Sequence, residues 1–250
     1  PDGSFRPDVC VVRKPGQDAY VSAPLSSIMI AEAYQTMLLD TSGVPYDSYF
    51  LSDILADEDL QDYRVYIFAN TRMLTTGERA AITSALMGED RRLVFLADTG
   101  YITETGPSTE ALSDLVGMTV TTQAEYARAP AFVDVAHALT QGVRPFQGMS
   151  ELLMSIMSQG GASSFVGRLQ RFTITDEAST ALAHYKDGSV AMATRDLGDW
   201  TSVYLGAPNS LGGAMLRNIA EQAGAYVLGG AGHEIHMSGR LISLHACGTG

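Results

Sequence analysis

The chain has 250 residues, 46% of them hydrophobic and 18% charged, which is typical of a folded globular protein. Its formal net charge is −12, so neither a nucleic-acid partner nor a membrane partner is expected, because nucleic acids and anionic membranes favour lysine and arginine. The sequence contains no run of about 18 apolar residues that would predict a transmembrane helix.

The first part of the chain alternates short apolar runs with a helical pattern. Residues 9–12 are a β-branched run that predicts a central first strand, and 22–39 follow a 3.6-residue apolar period that predicts a helix. A second strand is predicted over 46–50. The acidic connector 52–62 predicts a short helical turn.

The unit around which the chain is organised reads strand, helix, strand. Two near-continuous apolar runs, 63–70 and 92–98, flank a helical pattern over 75–88. Thr75 with Glu78 three residues later fits a capping box at the start of that helix. Parallel strands buried on both faces need a crossover, so the pattern predicts a right-handed βαβ unit.

The remainder of the chain is richer in strand patterns. Its helical or turn segments are 108–116, 134–142 and 211–223. Its predicted strands are 118–122, 169–175, 190–194, 200–205, 225–228 and a closing hairpin of 233–237 with 240–246. Polar turns at 186–189 and 197–199 favour antiparallel hairpins. Two further segments are an apolar one and a linker-like one, 149–157 and 159–164.

This alternation of strands and helices predicts an α/β class with a mainly parallel sheet between helix layers, followed by a C-terminal β-hairpin. In such sheets ligands bind beyond the carboxyl ends of the strands. The two strands of the organising unit end at polar residues, and a tyrosine flanks the second turn. The candidate ligand-binding residues are therefore Asn70, Thr71, Asp98, Thr99 and Tyr101.

No catalytic residue is predicted at these strand ends, because neither carries a Cys or a Ser in a nucleophile elbow. Cys10 lies inside the first strand run and Cys247 in the tail, so neither has the exposure and the neighbouring base that a reactive thiolate needs. Asp98 is the best-placed acid, but no second carboxylate stands out as its partner for glycoside hydrolysis.

Three histidines near the end of the chain are possible metal ligands: His233, His236 and His245. If the hairpin turns at 238–239, Met237 pairs with Arg240, and His245 lies well over 10 Å along the ladder from His236. His233 is then on the opposite face from His236. We therefore predict no metal site, and the sequence indicates no cofactor.

Several stretches resemble the middle domain of family 42 β-galactosidases, usually called the trimerisation domain. They are GVPYD at 43–47, LQDYRVYIF at 60–68, LTTGE at 74–78, RRLVF at 91–95, AHYKDGSVA at 183–191, SVYLG at 202–206 and LRNIAEQAG at 216–224. The closing SGRLISLH at 238–245 resembles the opening hairpin of the small β-domain that follows it in that family.

The resemblance implies a class I glutamine-amidotransferase-like fold over 1–232, that is, a flavodoxin-like three-layer sandwich, with 233–250 starting a following β-domain. It also implies that the catalytic acids lie on a preceding (β/α)8 barrel. The sequence starts without Met and stops directly after a predicted strand, so we expect a segment of a longer protein. Amidotransferase relatives carry a nucleophilic Cys at an elbow, and the corresponding region here, 68–73, has none.

Three functional hypotheses follow. The first is a non-catalytic assembly domain from a larger glycoside hydrolase-like protein, forming a homo-oligomer with a trimer favoured. The second is a hydrolase or amidase with an unrecognised site around Asn70, Asp98 and Tyr101. The third is a carbohydrate-binding or small-molecule-binding module that uses the same crevice.

Overall fold

A computed structural model describes residues 5–20, 25–123, 131–147, 170–229, 233–238 and 241–246. Its strands are β1 Val9–Arg13, β2 Asp47–Phe50, β3 Val65–Phe68, β4 Arg91–Leu96, β5 Ile102–Thr103, β6 Gly106–Pro107, β7 Val120–Gln123, β8 Ala131–Phe132, β9 Phe146–Gln147, β10 Arg171–Ile174, β11 Thr180–His184, β12 Val190–Asp196, β13 Trp200–Leu205, β14 His233–Ser238 and β15 Leu241–Ala246. Its helices are α1 Leu25–Asp40, α2 Leu51–Ala56, α3 Thr76–Leu86, α4 Thr109–Val116 and α5 Gly213–Gln222.

The central part of the main sheet is parallel, in the order β2-β1-β3-β4-β13. Counted along the chain, these five strands have the order 2-1-3-4-5, which is that of flavodoxin-like folds. The βαβ unit is confirmed, because β3 and β4 are parallel neighbours joined through α3. The predicted flavodoxin-like α/β class is therefore confirmed. The order reverses at β1 and β3, which makes the carboxyl ends of these strands the expected place for a ligand.

An antiparallel extension continues the sheet through β12, β11, β8 and β9, with β10 and β7 paired at its side. Both polar turns join antiparallel neighbours, as predicted. The turn at 186–189 follows β11, however, and the sequence pattern did not predict a strand there. Its interior residues Leu182 and Ala183 are buried, so packing rather than local propensity accounts for this strand.

Two further predictions about the C-terminal region were wrong. Residues 225–228 form no strand: the backbone N–H of Tyr226 donates to the Asp8 carboxylate over 2.8 Å and that of Leu228 to the Gly43 carbonyl over 3.3 Å, so separate bonds and not a ladder hold this segment. In the hairpin Ser238 pairs with Leu241, so the turn lies one residue later than predicted and each β14 residue pairs two positions further along β15, which places Glu234 opposite His245. Predictions for 149–157, 159–164 and Cys247 fall outside the described residues.

Side chains alternate across the parallel strands into two cores. One core contains Val11, Ile67 and Val94 together with Leu216 and Ile219 of α5. The other core contains Val12, Phe68 and Phe95 together with Ile82 of α3 and Leu112 of α4. Because both faces of these strands are covered by helices, the strands read as continuous apolar runs rather than alternating ones.

The start of α3 carries the predicted capping box. The Thr75 hydroxyl accepts from the Glu78 backbone N–H at 3.1 Å, and the Glu78 carboxylate accepts from the Thr75 N–H at 2.8 Å. We expect Thr75→Ala to lower the free energy of unfolding by about 1 kcal/mol. Thr83→Ala is the matched control on the same helix, because its hydroxyl bonds only the Arg79 carbonyl within the helix. Equal urea midpoints for the two variants would contradict the assignment of Thr75 to the capping box.

Glu78 also makes the stability of the fold depend on pH. Burial acts to raise the pKa of its carboxyl, but the Lys14 ammonium at 2.7 Å and the bonds from Thr75 outweigh it and lower the pKa below 4.5. A carboxyl whose pKa falls on folding stabilises the native state above its unfolded pKa, and that contribution disappears as the pH drops through the folded value.

We therefore expect Glu78→Gln to narrow the difference in unfolding free energy between neutral and acid pH. The measurement is a series of urea midpoints for both proteins, from neutral pH to well below pH 4.5. Parallel pH profiles for the variant and the original chain would show that Glu78 makes no such contribution.

Candidate functional site

A cavity of about 320 Å³ lies at the carboxyl edge of the parallel strands. Four of its lining residues lie at or after strand ends: Arg13 is the last residue of β1, while Asn70 follows β3, Asp98 follows β4 and Asn209 follows β13. The polar residues Glu32, Gln35 and Thr36 of α1 line it as well. The cavity therefore lies where the strand order reverses, as the topological rule for open α/β sheets predicts.

Three of the five sequence-predicted residues, Asn70, Asp98 and Tyr101, line this cavity together. Thr71 and Thr99 do not line it, because both are buried behind the turns. The Thr99 hydroxyl reaches the carbonyls of Leu96 at 2.8 Å and Phe68 at 3.1 Å. These threonines brace the strand ends, and ligand binding by the other three remains a prediction.

Arg72 is the centre of the charge network in the cavity. Its Nε lies 3.1 Å from Oδ2 of Asp98, and its Nη1 lies 3.5 Å from Oε1 of Glu32. Nη1 also donates to Oδ1 of Asn70. The guanidinium side chain is only 15% exposed, so it joins three lining residues into one fixed array.

Arg13 is the second guanidinium of the cavity and has a different environment. Its Nε donates to the Ser48 hydroxyl at 3.2 Å and its Nη2 to the Thr36 hydroxyl at 3.1 Å. Within the described ranges Arg13 forms no ion pair, and its Nη1 has no hydrogen-bond partner. Two of its nitrogens are thus held by hydroxyl groups of described residues.

Two acceptor atoms on α1 have no hydrogen-bond donor in the described part of the chain. Gln35 is 8% exposed, and its Nε2 donates to the Leu211 carbonyl at 3.0 Å while its Oε1 has no partner. Oε1 of Glu32 lies near Arg72 but also accepts no hydrogen bond. Buried acceptors without donors are uncommon in native proteins, so they mark a place for a ligand or water donor.

Sequence reasoning did not identify Arg13, Glu32 or Gln35. Arg13 closes β1 and could have been found by the strand-end rule that selected Asn70. The two α1 residues give a weaker signal: with Thr36 they form a polar stripe at i, i+3 and i+4 on one face of the helix.

Three non-glycine residues that line the cavity have left-handed backbone conformations: Asn70 at φ 59°, Ala97 at φ 46° and Asn209 at φ 53°. Asparagine adopts this region readily, whereas for alanine the left-handed region costs about 1–2 kcal/mol. The Ala97 N–H donates to the Leu205 carbonyl at 2.8 Å, and its own carbonyl accepts from the buried Tyr204 hydroxyl at 2.7 Å. Strain of this kind collects at functional sites.

None of these strained turns holds a nucleophile. The elbow region implied by the resemblance, 68–73, contains Asn70 at the left-handed position, and the equivalent turn after β4 contains Ala97. Cys10 is buried in β1, and burial, reinforced by Asp47, raises the pKa of its thiol to about 12. A thiol with that pKa stays protonated at neutral pH and is not a nucleophile.

Among the described residues, no group of three or more His, Cys, Asp or Glu is arranged to hold a metal ion. None of the helices described is both long and apolar enough to cross a membrane.

A scan of protein-family models gives no match to the sequence, and a sequence search of curated proteins gives none either. Solved structures do match. The β-galactosidase from Bacillus circulans sp. alkalophilus is similar over 92% of this chain and 33% of its own, with a TM-score of 0.63 and 15% identity. The β-galactosidase from the haloarchaeon Halorubrum lacusprofundi is similar over 94% of this chain and 34% of its own, with a TM-score of 0.62 and 18% identity.

A GH42 β-galactosidase from G. stearothermophilus is similar over 95% of this chain and 33% of its own, with a TM-score of 0.57 and 12% identity. The chain thus spans about a third of the length of these proteins. At these identities the likeness establishes the fold. This chain has the fold of one domain of GH42 β-galactosidases.

Proposed function

We propose that this chain is a non-catalytic assembly domain of a larger glycoside hydrolase-like protein, and that it associates as a closed homo-oligomer, with a trimer favoured. The observation that carries the proposal is the extent of the likeness: more than nine-tenths of this chain matches, but only about a third of each β-galactosidase. A domain that occupies a third of such an enzyme leaves the remainder of the protein to supply the chemistry.

The described strand ends support a role without catalysis. The strained turns carry Asn70, Ala97 and Asn209, which are not nucleophiles. The two cavity carboxylates, Asp98 and Glu32, share the same guanidinium and so belong to a fixed structural network. A ring of subunits built from heterologous contacts needs no reactive group on the contacting domain, only a surface that closes by rotation.

The hairpin supports the proposed boundary between 1–232 and 233–250. Strands β14 and β15 pair with each other and form a sheet separate from the main one. Leu241, Ile242 and Leu244 are between 59% and 76% exposed. A two-stranded hairpin with exposed apolar residues is marginal in water, so we assign it to the start of a following β-domain.

Light scattering across a wide range of protein concentration tests the assembly role. The proposal predicts a mass near three times 26.7 kDa that stays constant on dilution, because a closed ring has no free contact surface. A mass equal to one chain at every concentration would refute it.

The same proposal predicts that the chain hydrolyses neither nitrophenyl glycosides nor glutamine above the buffer rate. The reason is that no activated nucleophile or acid pair is present at the described strand ends. Turnover that disappears in Asp98→Ala would favour the hydrolase hypothesis instead, and Asp90→Ala, an exposed loop aspartate outside the cavity, is the matched control.

A further inference from the structure

The cavity at the carboxyl edge presents donors and an acceptor that have no partner among the described residues. The acceptor is Oε1 of Gln35, since Oε1 of Glu32 is already ion-paired with Arg72 at 3.5 Å. On the donor side, neither Nη1 of Arg13 nor the amide NH₂ of Asn70, which uses its Oδ1 on Arg72, has a partner in the described ranges. A ligand that fits must therefore both donate and accept hydrogen bonds.

The formal charge of the lining favours a neutral ligand. Two guanidinium groups, Arg13 and Arg72, are balanced by two carboxylates, Glu32 and Asp98. An anion would share the cavity with both carboxylates, and a cation would share it with both guanidinium groups. Hydroxyl groups can each donate one hydrogen bond and accept others, so a neutral polyol can satisfy open groups of both kinds without adding charge.

The size of the cavity and its aromatic wall restrict the class of ligand further. The cavity volume of about 320 Å³ lies at the low end of small-molecule pockets. Tyr101 and Phe172 line the cavity with their rings in a T-shaped contact, 5.2 Å apart at 80°. An aromatic wall beside polar groups matches a ring that has one C–H face and hydroxyl groups at its edge.

From these features we propose that the cavity binds a single neutral monosaccharide, with its hydroxyl groups bonded to Gln35, Arg13 and Asn70. This site is additional to the assembly role and does not depend on it. The buried amide of Gln35 is the group most dependent on the ligand, because its oxygen has no donor in the part of the chain that the structure describes.

Isothermal titration calorimetry on the 250-residue chain tests the proposal, with D-galactose, D-glucose and D-mannose as neutral probes. D-galacturonate is the charged probe of the same ring shape. We expect one site per chain for at least one neutral sugar, and binding of galacturonate about tenfold weaker or worse. The same neutral sugar should raise the melting temperature, since a ligand of the native state stabilises it.

Two variants assign the binding to this cavity. Gln35→Leu removes the unsatisfied oxygen at similar volume, and Asn70→Asp replaces the free amide donor while tolerating the left-handed backbone. Each should weaken the sugar about tenfold, the usual effect of losing one hydrogen bond in a desolvated site. Gln61→Leu is the matched control, because Gln61 also donates from Nε2 to a backbone carbonyl at 3.0 Å but lies outside the cavity.

Several outcomes would overturn the proposal. The absence of binding heat with all three neutral sugars would do so, as would galacturonate binding at least as tightly as they do. Unchanged affinity in both folded cavity variants, with folding confirmed by circular dichroism, would place any binding elsewhere. A monomeric chain that still binds sugar in this pattern would refute the assembly role and leave the sugar site standing.

Discussion

Replacing Phe95 with alanine is expected to lower the free energy of unfolding by about 3–5 kcal/mol. Phe95 lies in β4, which pairs with β3 on one side and β13 on the other, and its side chain is fully buried. Its ring stacks on that of Phe68 at 5.0 Å and 16°, and meets Trp200 edge-on at 6.4 Å. Alanine would leave a cavity between strands and helices that cannot collapse freely, because the neighbouring strands fix its walls.

Urea denaturation followed by circular dichroism measures this loss. Phe50→Ala is the matched control, since Phe50 lies on the edge strand β2 and is 49% exposed. We expect the control to lose less than about 1 kcal/mol, as exposed substitutions usually do. A similar midpoint for the two variants would mean that the β3–β4 core is not packed as described.

Gly206→Ala is expected to cost about 1–3 kcal/mol for a different reason, overpacking against backbone. Gly206 directly follows β13, and a Cβ there would lie 2.6 Å from the Phe172 carbonyl oxygen and 3.2 Å from that of Ala191. Neither oxygen belongs to a flexible side chain, so strands must separate to admit the methyl group. The Gly206 N–H bond to the Ala191 carbonyl, at 2.9 Å, would be strained by the same movement.

The matched control is Gly88→Ala, because a Cβ at Gly88 meets nothing within 4 Å. That substitution should leave the urea midpoint unchanged or raise it slightly, since it mainly restricts the unfolded chain. Because Phe172 lines the cavity, Gly206→Ala should also disturb the cavity wall. An unaltered midpoint for Gly206→Ala would contradict the close approach of the three strands.

The parallel half of the fold could be predicted because its signals are local. Strands β3 and β4 read as continuous apolar runs, and the Thr75–Glu78 capping box marks the start of α3 within a few residues. The Gly117 C-cap, at φ 66°, marks the end of α4 in the same way. Where the apolar pattern and the capping residues of a short stretch indicate the same helix or strand, the local sequence is sufficient to predict it.

The antiparallel half depends on partners that are distant in the sequence. Thr180–His184 has alanines where a strand pattern would have β-branched residues, and only its pairing with β12 makes it a strand. The run at 225–228 looked like a strand but follows Gly224, at φ 66°, and its backbone is held by Asp8. In both cases the tertiary environment decides against local propensity.

Only part of the candidate site could be predicted from the sequence, because its other residues are placed there by tertiary packing. Asn70 and Asp98 follow strands directly, so the sheet topology brings them together. Gln35 is identified by an unsatisfied oxygen, a property that exists only once α1 has packed beside the strand ends. Residues that line a cavity through helix packing leave little trace in the local sequence.

We propose that this domain assembles copies of the chain. Native mass spectrometry tests this assembly directly by counting the subunits. Equal amounts of isotopically labelled and unlabelled chain are mixed, dissociated and reassociated before measurement. We expect a trimer in four isotopic compositions, a pattern set by a closed ring of three equivalent subunits. A spectrum that contains only the 26.7 kDa chain, labelled and unlabelled, would contradict it.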